Sequence, residues 1–87
     1  MHELTLMVDV MRKIEQVAQD SGADEVTSVR LWLGALAHIS PDHLREHFEI
    51  AARDTVAAGA EVVIDQSTDL DDPNAQEIIL VSLEVAE

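Results

Sequence analysis

The chain has no cysteine. That excludes disulfides, thiolate zinc sites and a thiol nucleophile. Aromatics are nearly absent, with Trp32 and Phe48 alone, so any core must be aliphatic. Positive charge is scarce: 5 Lys and Arg stand against 18 Asp and Glu, for a net charge of -13. So acidic a chain repels phosphate, which argues against nucleic acid and anionic membrane surfaces as partners. A basic protein, a cation or simple solubility suits it better. Glycine occurs only at Gly22, Gly34 and Gly59, so there is no glycine-rich phosphate loop. No serine sits in a nucleophile elbow, and the residues form no catalytic constellation; an enzyme is not expected. No apolar run approaches the ~18 residues of a membrane span. The opening stretch carries Glu3, Asp9, Arg12 and Lys13 among its apolar residues, unlike a secretory leader. The cytoplasm is the expected compartment.

What is present is enough for one small domain, residues 1–87. A chain of this size buries roughly 60–65% of the surface its unfolded state exposes, so its stability should be modest. Leu4, Met7, Val8, Met11, Ile14, Val17 and Ala18 recur at spacings of three and four and predict an amphipathic helix. Ser21-Gly22 stops it, Gly22 being suited to the left-handed position after a helix. "VTSVRLWLG", Val26 to Gly34, reads as a strand in which Val29, Leu31 and Leu33 alternate with Ser28, Arg30 and Trp32. Ser40 as N-cap, Pro41 at the first helical position and Asp42 in the first turn open a second helix. Leu44, Phe48, Ala51, Ala52 and Thr55 mark its buried stripe, and Gly59 its end. Residues 60–65 form a short strand, 66–75 an acidic loop broken by Pro73, and 76–85 a last strand. On that strand Ile79, Val81, Leu83 and Val85 share one face, and Ile78, Leu80, Ser82 and Glu84 the other.

The order α-β-α-β-β predicts an α+β fold of two layers, a three-stranded mixed sheet with both helices on one face. The helix between the first two strands makes them parallel if they share the sheet. The last two strands are expected to form an antiparallel hairpin across the acidic loop. Oligomeric state is open: an exposed edge strand is a candidate contact, and so is Trp32 if it faces solvent, though filling the sheet's helix-covered side is at least as expected of it.

The terminus Met1-His2-Glu3 holds four nitrogens within reach of one metal. An unperturbed α-amino group has a pKa near 8 and an imidazole near 6.5, so both shed protons at physiological pH. Backbone amides yield their protons to metals that favour square-planar nitrogen, which nickel(II) and copper(II) do and zinc and magnesium do not. Removal of Met1 is expected to be inefficient before a residue as bulky as His2. The same residues also read as a plain polar helix start, where Glu3 is favourable. His43 and His47, four apart on the second helix, are a weaker metal candidate, and a solvated helix face accounts for them as well. They lack the HExxH pattern of a metalloprotease. His38 reads as a polar turn residue. "DLDDPN" fails as a calcium loop: counted from Asp69, the sixth position holds Asn74 rather than Gly and the twelfth Leu80 rather than Glu.

Together "MHEL", "VTSVRLWLGALAHISPDHL", "HFEIAARDTVAAGAEVVID" and "EIILVSLEVAE" resemble the HypA/HybF family of nickel chaperones for NiFe-hydrogenase maturation. The resemblance runs through nearly the whole chain in order. It implies Ni(II) bound by the Met1 amine, the His2 imidazole and the backbone nitrogens of His2 and Glu3. It also implies a maturation GTPase and a hydrogenase large subunit as partners. The sequence departs from the family in one place. Family members carry a zinc domain with two CxxC pairs between the last two strands, where this chain has only "QSTDLDDPNAQ". No structural zinc is therefore expected. The function expected is delivery of nickel; the alternative is a metal-independent acidic adaptor that docks a hydrogenase precursor or assembly protein.

Overall fold

The computed structural model describes residues 3–86, with side chains from Leu6 onward. Five elements follow in the expected order: α1 (Glu3–Asp20), β1 (Val26–Leu33), α2 (Pro41–Ala51), β2 (Glu61–Gln66) and β3 (Ile78–Val85). The sheet is mixed, three-stranded and ordered β2-β1-β3.

β1 is the middle strand. It pairs in parallel with β2 and antiparallel with β3. The expected hairpin between β2 and β3 is therefore wrong, because β1 lies between them. Hairpin loops are usually two to five residues long, and residues 67–77 form a much longer connection. That length lets the chain pass the end of β1 and pair on its far side. The gain is burial: Val26, Val29, Leu31 and Leu33 lie in the core of a strand covered on both edges. The connection is bound to the strand end it passes. The Ser67 amide donates to the Leu33 carbonyl, the Gly34 amide to Glu77, and the Leu36 amide to Ala75.

Both helices cover one face of the sheet, where Ile14, Ala18, Leu44 and Phe48 meet the inward side chains of β1. The buried stripe of α1 is Leu6, Met7, Val10, Met11, Ile14 and Ala18. Val8 and Val17, expected on that stripe, are exposed instead. Gly22 has φ 68, and the Ala23 and Gly22 amides donate to the carbonyls of Ala18 and Gln19. This is the six-to-one and five-to-two pattern of a glycine-terminated helix.

α2 starts as expected: Ser40 is extended and its hydroxyl accepts from the His43 amide. It ends at Ala51, well before Gly59. Asp54 turns left-handed (φ 62), and Thr55 stands in the following turn rather than on a helical stripe. The Thr55 hydroxyl donates to the Ala52 carbonyl and accepts from the Ala57 amide, so a side chain replaces the helical ladder. Gly59 (φ 76) then turns the chain into β2.

β3 does not alternate throughout. Its partners step from Leu31↔Leu80 to Arg30↔Ser82, which leaves Val81 as an extra residue. Such a bulge moves the following side chains to the opposite face. Ile78 and Leu80 point to the core before it, and Leu83 and Val85 after it, while Val81 is exposed. The two faces expected of this strand are therefore exchanged halfway along. Trp32, opposite Ile79 and between buried Leu31 and Leu33, lies on the face the helices leave open.

Candidate metal centre

Met1 and His2, which supply the amine and the imidazole of the expected terminal site, lie outside the described residues. Glu3 opens α1. The first amides of a helix have no carbonyl within that helix to donate to, so an amide at this position is not taken up by the ladder. The helix dipole places partial positive charge there. That charge favours loss of an amide proton. The start of α1 is anchored, since Leu6, Met7 and Val10 are buried within its first two turns.

His43 and His47 come together. Their ring centroids are 4.3 Å apart and their planes nearly perpendicular, at 87°. His43 is exposed and His47 half-buried, one turn of α2 apart. Between them, Arg45 turns the other way. Its guanidinium donates to the Val62 carbonyl on β2 at 3.3 Å and to Asp42 at 3.4 Å. No local pattern singles out Arg45, because its acceptor on β2 is remote along the chain.

His38 is exposed and left-handed, with φ 61. It lies in the short connection to α2, just after the turn closed by the Ala37 amide on the Gly34 carbonyl. Among the described residues, no group of three or more His, Cys, Asp or Glu is placed to hold a metal ion.

The acidic loop turns its polar side chains on itself. Asp69 accepts from the Asp71 amide at 3.0 Å, Asp72 from Asn74 at 2.7 Å, and Ser67 from Asp69 at 3.1 Å. These short-range bonds shape turns. Asp69, Asp71 and Asn74 are exposed, as a solvated loop requires.

A family model described as "Hydrogenase/urease nickel incorporation, metallochaperone, hypA" matches residues 1–70. The chain belongs to the HypA family. The hydrogenase maturation factor HypA of Streptomyces avermitilis is 42% identical over 67 residues, which cover 76% of this chain and 51% of that protein. HypA of Chloroflexus aurantiacus is 39% identical over 66 residues, covering 76% of this chain and 58% of its own length. The chain thus spans about half the length of the curated relatives it matches. The solution structure of the Ni metallochaperone HypA from Helicobacter pylori superposes with a TM-score of 0.80 at 18% identity, covering 98% of this chain and 97% of that one. It shares the fold. The family description names a metallochaperone of nickel incorporation. The match ends at residue 70, inside the connection between β2 and β3.

Proposed function

We propose that this HypA-family chain carries Ni(II) at its N-terminus and delivers it during hydrogenase maturation. The observation that carries the reading is the family match, which begins at Met1 and so includes the terminal sequence. The ligands are the Met1 amine, the His2 imidazole and the backbone nitrogens of His2 and Glu3. Two deprotonated amides offset the two positive charges of the ion, giving a neutral complex. Open axial faces let a recipient's thiolates attack, and competition with protons makes loading pH-dependent.

In this reading the chain acts in the cytoplasm as one domain, and the acidic loop stands where relatives carry a zinc module. The end of the family match within that loop supports the placement. Nickel is the cargo, and no structural zinc accompanies it. A maturation GTPase and the hydrogenase large subunit are the partners. No helix among the described residues is long and apolar enough to cross a membrane.

The net charge of -13 favours a second reading, in which the chain is a metal-independent adaptor for a basic surface. Hydrogenase maturation in cells separates the two. The carrier predicts that His2→Ala abolishes maturation and that added nickel restores it. The adaptor predicts full maturation with His2→Ala and loss on charge reversal at the acidic surface. Maturation unaffected by His2→Ala overturns the carrier.

A further inference from the structure

We propose that His43 and His47 form a second divalent-metal site, a two-imidazole chelate on the surface of α2. The argument is independent of whether the terminus binds nickel. Residues four apart on a helix lie one above the other on the same face. Here the two rings are already in contact, with centroids 4.3 Å apart. In the recorded arrangement the rings meet edge to face. Rotation about the terminal ring torsion, which is broad and soft, turns one nitrogen of each toward a common ion. His43 is exposed and His47 half-buried, so solvent reaches the pair.

The backbone beneath the pair is fixed. Ser40 caps the helix through the His43 amide at 3.1 Å, and Pro41 begins it. Leu44 and Phe48, each next to one of the histidines, are buried in the core. A scaffold that does not move raises the affinity of a two-ligand site, because little order is lost on binding. The local charge suits a cation. Glu46 and Glu49 lie on the same helix, and its one basic side chain, Arg45, is engaged by Asp42 at 3.4 Å and by the Val62 carbonyl on β2 at 3.3 Å. Neutral imidazole suits zinc, copper and nickel alike.

Zinc separates this site from the terminus. It does not displace amide protons, so the planar four-nitrogen site offers it little, while two imidazoles and waters complete its tetrahedral shell. The experiment is a Zn(II) titration of the whole chain with its native terminus, followed by the imidazole proton resonances and by calorimetry. The expected result is one equivalent bound at micromolar concentrations, with two histidines shifting together. Binding should weaken at least tenfold in both His43→Ala and His47→Ala, and persist in His2→Ala. Because His47→Ala could disturb packing, His47→Gln serves as a second variant. Circular dichroism checks that each variant folds, and a variant that loses its helical signal is replaced by its Gln counterpart. Zinc should also raise the Tm of the wild-type chain by several degrees and that of the double variant by none. Zinc binding unchanged in a folded double variant, or absent at micromolar concentrations in the wild type, overturns the proposal.

Discussion

The carbonyl oxygen of Ala75 occupies the space that a Cβ on Gly34 would need. The Asn74 carbonyl stands 2.8 Å from that same position. Gly34 follows β1 directly, and Ala75 belongs to the long connection that carries the chain to β3. These contacting atoms are backbone, so they cannot rotate aside as a flexible side chain would. Overpacking of this kind costs about 1–3 kcal/mol. Gly34→Ala should destabilise the chain by at least that amount, read as a fall in the urea midpoint. A midpoint within error of wild type means that the connection is not seated on β1.

Phe48 is the largest fully buried side chain, at 1% exposure. It joins α2 to the sheet in a core with no other large aromatic. Phe48→Ala should cost about 3–5 kcal/mol, a large share of the stability of so small a domain. Thermal unfolding by circular dichroism measures it.

Ser40 provides the N-cap of α2 and so sets the turn on which His43 stands. Ser40→Ala should cost about 1 kcal/mol of stability. Zinc affinity at the His43–His47 pair should fall only slightly, because the rest of the helix stays in place. Comparison of the two titrations checks this.

His38, exposed in the connection to α2, adopts φ 61. A β-branched residue fits that conformation poorly. His38→Val should cost about 1–2 kcal/mol, whereas His38→Gly should be nearly neutral. Denaturant midpoints of the two variants test the left-handed backbone directly.

Arg30 and Asp65 form an ion pair at 2.9 Å on the open face of the sheet, with both side chains about half exposed. A pair so exposed contributes at most about 1 kcal/mol. The larger electrostatic effect is global self-repulsion from a net charge of -13. Added salt screens it, so Tm should rise with sodium chloride despite the weakened ion pair. A fall in Tm with salt contradicts this balance.

Periodicity made much of this fold legible. The spacing of Met7, Met11, Ile14 and Ala18 marked α1, and the Ser40-Pro41 start fixed α2. The failures came where a non-local contact decides the outcome. Val8 and Val17 fit a three-four spacing as well as Leu6 and Val10 do, and only the placement of the sheet chooses between them. The bulge at Val81 depends on its pairing with β1, which strict alternation cannot anticipate. The pairing of β3 with β1 rather than β2 depends on a connection whose anchor, Ala75 against Gly34, carries no local signal. At the candidate sites, the four-residue spacing of His43 and His47 did indicate their contact. Met1 and His2 lie outside the described residues, so the terminal site rests on the chemistry of its nitrogens and on the family resemblance rather than on geometry.

The most direct test of nickel carriage is a Ni(II) titration of untagged protein with its native terminus, followed by the visible absorption of planar nickel. Wild type should take up one equivalent with that band. His2→Ala and a variant with one residue added before Met1 should both lose it. A planar band of equal strength and affinity in all three proteins contradicts nickel binding at the terminus.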